Sequence, residues 1–417
     1  MAQLSDDCFA FGGPLMTAHD ALALLKERLH PVADTEQVSL ADAAGRILAE
    51  NIDAPSPVPP FDNAAVDGYA VRHDDLNAKA ETVLPIAGRI AAGHPAPRPA
   101  KPGEAWQIFT GAPMPEGPDT VVMQEDCRRD GDRITVPAGV KPGINRRRAG
   151  EDIGKGEVIL RTGQRLRPQH IGQAASIAQT ELRVFKRLRV GLFSTGDEIR
   201  DVGDTLDDGC IFDSNRYSVA ALLSGLGCEV DDLGILPDRR EDIEAALRAA
   251  ATDHDVIISS AGVSAGEEDH VRLAVESLGN LYFWRLAIRP GRPLALGQIG
   301  STPFIGLPGN PVAVMVTFMR FARPALLLLG GATETDPLSF RVPAQFSYRK
   351  KAGRREWIRV SLKTDEHGVA GAEKFPRDGA GILSSMVASD GLLELPEELT
   401  EIEPGTMLDF IPFSEVS

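Results

Sequence analysis

The chain has 417 residues, of which 43% are apolar and 25% charged, proportions typical of a soluble globular protein with roughly two to four domains. It carries 44 Lys and Arg against 60 Asp and Glu, and the resulting formal charge of −16 argues against general nucleic-acid binding. The cysteines show no C-x-x-C spacing, which argues against a zinc knuckle or a disulfide framework and indicates reduced thiols: Cys8, Cys127, Cys210 and Cys228.

No signal peptide and no membrane span are predicted. Acidic residues at Asp6, Asp7 and Asp20 interrupt any apolar stretch near the N-terminus. The long uncharged stretch Pro303–Met319 contains three prolines and a Gly-Asn turn, which a membrane helix would not tolerate. We therefore expect a cytoplasmic protein.

The N-terminal part is predicted to be mostly helical, with Thr17 capping one helix and a second helix over Leu40–Asn51. Prolines and glycines become dense from Ala54 to Pro142, and four short β-like runs occur there. This composition, together with the four runs, predicts a small inserted barrel or sandwich, with strands at Thr82–Ala87, Ala105–Phe109, Thr120–Gln124 and Arg133–Pro137.

After a β-like run at Glu157–Leu160 and a helix at Pro168–Thr180, short apolar runs alternate with helical patterns, which predicts a parallel α/β sheet. Its strands are expected at Val190–Phe193, Cys228–Leu236, Val256–Ser259 and Phe304–Ile305, and its helices at Arg216–Leu226, Arg240–Ala251 and Asp269–Leu278. Alternating residues such as Trp357–Leu362 predict a last, small β domain. The predicted domains are 1–53 with 143–185, 54–142, 186–330 and 331–417.

Polar, glycine-bearing turns follow four apolar runs of the α/β block. In parallel sheets the loops at the carboxyl ends of the strands line one crevice, where ligands usually bind. We therefore expect the four turns to be neighbours that form the site: Val190–Glu198, Ile211–Arg216, Val256–His270 and Phe304–Val312.

Carboxylates stand in two of these turns. Asp197 and Glu198 follow one strand, and the Glu267–Asp269 triplet follows another. Mg²⁺ prefers oxygen ligands, usually one or two carboxylates together with substrate phosphates. The alternative is that these acids cap helices, an interpretation that suits Asp269 in particular. Both roles are compatible, and Glu198 is the stronger candidate ligand.

Small residues fill the turn Ser259–Gly266. Its backbone N–H groups and hydroxyls could hold a phosphate, although the run matches neither common nucleotide-binding pattern. A tight turn that needs small side chains for packing is an equally good interpretation.

A cationic cluster and an extended acidic loop complete the candidate features. Arg285, Arg289 and Arg292 flank a Pro-Gly turn, which favours an anion pocket over scattered surface charge. The segment Pro59–Ala70 carries Asp62 and Asp67. It could enter a neighbouring subunit's cleft, but composition alone favours a plain hairpin. The eight histidines show no arrangement suited to nucleophilic catalysis.

Together these stretches resemble the molybdopterin molybdenumtransferase family, which includes the C-terminal domain of gephyrin. Any single match would be weak, but seven in the same order along nearly the whole chain are specific. They are Pro60–Ala70, Phe109–Pro115, Gly150–Ile153, Phe193–Glu198, Asp213–Arg216, Ile258–Asp269 and Gly306–Val312.

The resemblance implies a four-domain chain in an elongated homodimer, with a molybdopterin-binding α/β domain and a cleft shared between subunits. It implies a Mg²⁺-dependent transferase that hydrolyses adenylylated molybdopterin and inserts molybdate into the dithiolene, releasing AMP and molybdenum cofactor. No fused adenylyltransferase domain is expected, so a separate molybdopterin adenylyltransferase would supply the substrate and downstream molybdoenzymes would receive the product.

Site residues follow from the matched motifs. The resemblance implies catalytic roles for Asp67, Asp152, Glu198, Asp238 and Asp269, with Glu198 and Asp269 also holding the metal. It implies substrate contacts along the same cleft from Thr110, Ser194, Thr195, Gly196, Asp197, Ser259, Ser260, Gly262, Ser264, Gly266, Arg285, Arg289, Arg292, Pro308, Asn310 and Pro311. Asp67, Thr110 and Asp152 would come from the partner subunit.

The chain departs from the family pattern at several positions. Arg285, Arg289 and Arg292 stand where lysines are expected, and Ala261 and Ala64 replace a Gly and a Ser. Arg keeps the charge but binds oxyanions bidentately. Three alternatives remain open. One is a molybdopterin adenylyltransferase, which would leave Pro60–Ala70 and Phe109–Pro115 without a purpose. The others are a non-enzymatic scaffold of the gephyrin type and a transferase specific for tungstate rather than molybdate.

Overall fold

The computed structural model describes residues 15–261, 270–291, 293–364, 368 and 370–417. Within these ranges the α-helices are Ala18–Arg28, Pro168–Ser176, Asn215–Leu226, Arg240–Asp253, His270–Leu278, Pro311–Thr317, Arg323–Leu329 and Ser384–Val387, and the π-helix Phe318–Ala322 joins Pro311–Thr317 to Arg323–Leu329.

The N-terminal part contains one of the two helices predicted there, and the second prediction is wrong. Thr17 accepts a hydrogen bond from the Asp20 N–H at 3.1 Å and caps the first helix. Over Leu40–Asn51 only the 3₁₀ turn Leu40–Asp42 forms. Gly45 has φ of +79° and breaks the helix, and the Leu48 N–H donates to the Gln164 carbonyl at 3.0 Å instead.

Short antiparallel pairs join this part to the segment beyond the insertion. Thr35–Ser39, which no sequence pattern predicted, pairs with Glu181–Phe185, and Ile52–Asp53 pairs with Val158–Leu160. The chain therefore leaves this unit for the inserted unit and returns to it through its own strands.

The inserted unit is β-rich, as predicted. One sheet contains, in spatial order, Thr120–Met123, Gly68–Val71, Ala105–Ile108, Thr82–Ile90, Arg133–Val136 and Arg128–Asp130. Tyr69 and Val71 belong to one apolar cluster and Ala70 to another. Because successive side chains of a strand point to opposite faces, both faces of this sheet are covered.

The α/β unit has a six-stranded sheet with the order Glu229–Leu236, Arg189–Thr195, Val256–Ser260, Thr302–Leu307, Pro293–Ile299 and Gly279–Arg285. The first four strands are parallel, as predicted, whereas the last two are antiparallel and make the sheet mixed. Leu192 and Ile258 pack in one apolar cluster, and the adjacent Phe193 and Ile257 pack in another. Helices thus cover both faces, which explains the continuous apolar runs of the strands.

The longest apolar stretch is a core element. Pro311–Leu329 is long and apolar enough to cross a membrane by length and composition, but 78% of its most apolar window is buried inside the protein. Burial against the sheet accounts for its composition.

The C-terminal unit is a β sheet with the order Ile288–Arg289, Arg355–Thr364, Gly391–Leu395, Met407–Pro412 and Phe340–Pro343. Ala370–Lys374 also pairs with Arg355–Thr364, and Tyr348–Arg349 pairs with Glu401–Ile402. Ile288–Arg289 comes from the arginine-rich segment and runs parallel to Arg355 and Glu356. This pairing places that segment at the junction of the two units.

Candidate active site

The carboxyl ends of the four parallel strands meet at one edge of the sheet, and a cleft of about 340 Å³ opens there. Strand register places Ser194 beside Ser260. The predicted turns supply the walls, because the lining residues are Ser194, Glu198, Ile199, Ile211, Phe212, Asp213, Ser214, Asn215, Ser260, Ala261, Gly309, Asn310 and Pro311. The ends of separate strands thus build one pocket, as the position of a crevice in α/β sheets requires.

Glu198 reaches this cleft from a tight turn after the first strand of the sheet. Gly196 has φ of +145°, a region that side chains rarely adopt, and the Ile199 N–H donates to its carbonyl at 3.2 Å. The Glu198 carboxylate folds back over Gly196. Asp197 lies beside it but is not among the lining residues, and its carbonyl accepts from Arg200 Nη1 at 2.9 Å.

Within the part of the chain that the structure describes, three buried polar atoms without a hydrogen-bond partner line the same cleft. They are Ser194 Oγ, Ser260 Oγ and Asn215 Oδ1. Asn215 Nδ2 donates to the Gly309 carbonyl at 2.7 Å, which fixes the amide. An unsatisfied buried polar atom costs about 1–3 kcal/mol, so a cluster of three indicates a ligand that would satisfy them. Asn215 was not among the predicted site residues, although the Asp-Ser-Asn-Arg stretch contains it.

The small-residue turn is described only at its beginning. Ala261 has φ of +77°, and its N–H donates to the Leu307 carbonyl at 3.2 Å. Ser259 Oγ is also buried and unpartnered, but strand alternation places it on the face opposite Ser260. The predicted residues Gly262, Ser264, Gly266 and Asp269 lie outside the described residues.

The last turn forms the opposite wall. Asn310 and Pro311 line the cleft, and Pro311 is the first residue of a helix, where its missing N–H is harmless. The next N–H, of Val312, donates to the Ala380 carbonyl at 2.8 Å, so the C-terminal unit borders this wall. Pro308 is buried behind it.

Thr195 and Asp238 form a separate pair. Thr195 Oγ1 donates to Asp238 Oδ1 at 3.3 Å; Thr195 ends one strand and Asp238 follows the neighbouring strand Glu229–Leu236. Neither belongs to the residues that line the cleft.

The arginine segment lines a second cleft, of about 270 Å³, between the α/β and C-terminal units. Arg289 lies there and faces the C-terminal residues Arg359 and Tyr348. The backbone of Arg285 belongs to the strand Gly279–Arg285, whereas its side chain and the whole of Arg292 lie outside what the structure describes. Sequence reasoning missed Arg359, which belongs to none of the matched motifs and lies far from Arg289 along the chain.

Hydrogen bonds fix the charged groups of this second cleft. Glu356 is only 2% exposed and accepts from Tyr348 Oη at 2.8 Å and Arg354 Nε at 2.6 Å. Arg289 Nη1 donates to Tyr348 Oη at 3.0 Å. Burial, with the hydrogen bond to Glu356, raises the pKa of Tyr348 to about 12, so the phenol stays protonated at neutral pH.

Arg359 differs from Arg289 in its partners. Its Nε donates to Ser385 Oγ at 3.0 Å and its Nη2 to the Gly379 carbonyl at 3.3 Å, both neutral groups. Burial lowers the pKa of this guanidinium, which nevertheless stays charged at neutral pH. A buried cation held by neutral acceptors favours an anionic ligand.

The remaining predicted residues belong to the inserted and N-terminal units. Asp67 Oδ1 accepts from the Thr110 N–H at 2.8 Å and from Thr110 Oγ1 at 2.7 Å, and these bonds lower the pKa of Asp67. Asp152 lines a third cleft of about 280 Å³ together with Arg147 and Glu151. None of the three predicted residues lines the cleft at the strand ends.

Comparison with known proteins covers nearly the whole chain. Three family profiles match: "MoeA N-terminal region (domain I and II)" over residues 16–178, "Probable molybdopterin binding domain" over 191–327, and "MoeA C-terminal region (domain IV)" over 341–413. The chain is thus a multidomain protein whose α/β unit matches the molybdopterin-binding profile between two MoeA-specific regions.

Full-length relatives identify the family. A molybdopterin molybdenumtransferase of Haemophilus influenzae is 38% identical over 96% of this chain and 100% of its own length. One of a Nostoc species is 36% identical over 91% and 89%. The crystal structure of the molybdopterin biosynthesis moeA protein from Pyrococcus horikoshii OT3 superposes with a TM-score of 0.80 at 32% identity, over 96% of this chain and 100% of that one. The chain belongs to the MoeA family of molybdopterin molybdenumtransferases.

Proposed function

We propose that the protein hydrolyses adenylylated molybdopterin and inserts molybdate into its dithiolene, which yields AMP and molybdenum cofactor. The observation that carries this proposal is the cleft at the strand ends, where a carboxylate stands beside three unpaired buried polar atoms. The names of its relatives support the transferase over a scaffold or an adenylyltransferase.

Phosphoanhydride cleavage depends mainly on positioning and on neutralising charge. The hydroxyls of Ser194 and Ser260 are free to donate to phosphate oxygens, and both are almost fully buried. Asn215 is held by its bond to the Gly309 carbonyl, so its Oδ1 can accept from the ligand. These groups would bind and orient the substrate without rearranging.

The residues of the cleft suit Mg²⁺. Within the described ranges no three His, Cys, Asp or Glu side chains form a metal cluster, but Mg²⁺ is usually held by one or two carboxylates and substrate phosphates. Glu198 would be one such ligand and Asp269 the other. When bound, Mg²⁺ neutralises charge on the phosphates.

We propose that the oxyanion substrate, molybdate, enters the second cleft. Arg289 and Arg359 line it from the two units, and a tetrahedral dianion fits within about 270 Å³. The arginines would hold it by charge-assisted hydrogen bonds. The hydrogen-bond partners of Arg359 are neutral, and Asp378, which also lines the cleft, is the carboxylate whose charge acts on this guanidinium.

We further propose a homodimer in which Asp67, Thr110 and Asp152 face the strand-end cleft of the partner. Apolar side chains are exposed on the segment beside that cleft, which a second subunit could cover: Val202, Leu206, Ile211, Phe212 and Tyr217. The substrate would come from a separate adenylyltransferase in the cytoplasm, and the product would pass to molybdoenzymes.

The first experiment measures AMP released from adenylylated molybdopterin with molybdate and Mg²⁺, for the wild type and for Glu198→Gln. Release that needs both ions and falls in Glu198→Gln supports the proposal. Asp204→Asn, an exposed acid of the same loop, is the matched control and should retain wild-type release. A folded wild type that binds the substrate but releases no AMP with any divalent metal would instead indicate a scaffold.

A complementation experiment tests the shared cleft. Asp67→Asn and Glu198→Gln are each expected to lose most, but not all, of their AMP release, whereas hybrid dimers formed by subunit exchange would contain one intact cleft. Activity that returns on mixing supports contribution from both subunits. If exchange is verified by mass labelling and no activity returns, the shared cleft is refuted while the role of Glu198 is unaffected.

A further inference from the structure

The loop that presents Glu198 is built on a small two-stranded ribbon. Ile199–Arg200 pairs in parallel with Ile211–Phe212, and the Ile211 N–H donates to the Glu198 carbonyl at 2.8 Å. The Asp213 N–H donates to the Arg200 carbonyl at 2.9 Å. The position of the Glu198 backbone therefore depends on how this ribbon is attached to the sheet.

One buried guanidinium makes that attachment. Arg216 is only 3% exposed and lies in the helix that follows the ribbon. Its Nη2 forms an ion pair with Asp201 Oδ1 at 2.7 Å, directly after one strand, without the geometry of a hydrogen bond. Its Nε donates to Asp213 Oδ2 at 3.2 Å, directly after the other strand. Its Nη1 bonds Asp232 in the edge strand of the sheet. A single side chain thus joins both ends of the ribbon to the central sheet.

The chemistry of this cluster requires arginine. A guanidinium presents donors in several fixed directions within one plane, whereas a lysine ammonium is a point charge on a flexible stem. Tyr217 supports one arm, because its Oη donates to Asp201 Oδ1 at 2.8 Å. Asp213 also accepts from the N–H groups of Asn215 and Arg216 at 3.1 Å. The cluster therefore also orders Asn215, whose amide lines the cleft.

We propose that Arg216 is a positioning residue for the transferase reaction, which acts by holding the Glu198 ribbon against the sheet through Asp201, Asp213 and Asp232. Arg216 itself does not line the cleft. The inference rests on the proposed role of Glu198. It predicts that weakening the contacts of Arg216 changes the Mg²⁺ dependence of the reaction while the protein stays folded.

The test compares Asp201→Asn and Arg216→Lys with the wild type. Asp201→Asn weakens only the loop arm, so hydrogen exchange at the Ile211 amide should accelerate while the thermal midpoint stays close to that of the wild type. Because such indirect support typically tunes metal affinity by about tenfold to a hundredfold, the Mg²⁺ concentration for half-maximal AMP release should rise at least about tenfold. Arg216→Lys should show the same changes, more strongly.

Asp207→Asn is the matched control. Asp207 pairs with Arg200 in the same loop at 3.2 Å and does not contact Arg216. This variant should leave both the exchange rate and the Mg²⁺ dependence unchanged. Equal effects in Asp207→Asn and Asp201→Asn would refute the proposal, because any charge in the loop would then support Glu198 as well as Asp201 does.

A double-mutant comparison separates positioning from a general structural role. If Arg216 acts through Glu198, Asp201→Asn should cause no further loss of turnover in a Glu198→Gln background. Additive losses would refute the inference, as would a wild-type Mg²⁺ dependence of AMP release in Asp201→Asn while Glu198→Gln is impaired. Wild-type turnover in Glu198→Gln would instead refute the proposed metal ligand.

Discussion

Replacing Gly196 by alanine should displace the Glu198 carboxylate. A Cβ built at Gly196 would lie 2.7 Å from Glu198 Oε2 and 3.1 Å from its Cδ. Ordinary van der Waals contact begins near 3.4 Å, so the carboxylate must move by roughly 0.7 Å. The carboxylate can make this movement because it is the end of a flexible side chain.

Two costs follow, and they can be measured separately. Alanine at φ of +145° is strained, which we expect to lower the free energy of unfolding by about 1–3 kcal/mol. Misplacement of a catalytic group by about 1 Å can reduce turnover about a hundredfold, so a loss of about tenfold to a hundredfold is expected here. The first cost concerns the fold, and the second concerns the position of Glu198.

Gly203→Ala provides the control. Gly203 lies in the same loop with φ of +102°, and a Cβ there would contact nothing within 4 Å. Both variants should lose similar stability in urea unfolding, but only Gly196→Ala should lose AMP release at saturating substrate. Equal activity loss in the two variants, or full activity in Gly196→Ala, would contradict the assignment of Glu198 to the reaction.

Three further predictions concern the other charged groups. Glu394→Ala should lower the free energy of unfolding by about 3 kcal/mol, measured by urea unfolding, because Arg320, 9% exposed and paired with it at 3.2 Å, would lose its counter-charge. Tyr348→Phe removes the hydroxyl that orients Arg289, so the KM for molybdate should rise about threefold to tenfold with kcat unchanged in a steady-state assay. Asp62→Asn should reduce the loss of stability at acid pH. Hydrogen bonds lower the pKa of Asp62 in the folded protein, so its contribution to the free energy of unfolding is present above about pH 4 and is lost as the pH falls through the lowered pKa. Measurements of the free energy of unfolding at about pH 2–6 would detect this difference.

Matched variants make these predictions specific. Glu401→Ala removes an exposed ion pair with Arg349 and should change stability by less than about 1 kcal/mol. If it destabilises as much as Glu394→Ala, burial is not the cause. A fall in kcat for Tyr348→Phe would place the phenol in the reaction rather than in oxyanion binding, and an unchanged acid curve for Asp62→Asn would remove its linkage to folding.

Periodic apolar runs were sufficient to predict the α/β unit. The strands Val256–Ser260 and Arg189–Thr195 and the helix Arg240–Asp253 lie within a few residues of their predicted bounds. Both sheet faces are covered by helices, so each buried strand is apolar throughout and easily recognised. The rule that strand ends share a crevice then brought Glu198 and Asn310 into one predicted site.

Elements whose pattern depends on distant partners were predicted less well. Leu40–Asn51 has apolar residues at helical spacing, but Ile47 and Leu48 form isolated β-bridges with Arg165 and Val184, which belong to the segment after the insertion. The strands Gly279–Arg285 and Pro293–Ile299 were missed, and they convert the sheet from parallel to mixed. Gly279–Arg285 lies at the edge of the sheet, and Pro293–Ile299 pairs with it on one side and with Thr302–Leu307 on the other. Such strands are specified by their neighbours more than by their own composition.

Sequence by itself determined the class of fold, the positions of the four turns at the strand ends and the family resemblance, because apolar periodicity and turn residues are local properties of the chain. Only the tertiary structure decided that Arg289 meets Arg359 in a cleft between two units and that Arg216 joins Asp201, Asp213 and Asp232. The physical reason is that a buried guanidinium selects its partners by distance and direction in space, and these have no fixed spacing along the chain.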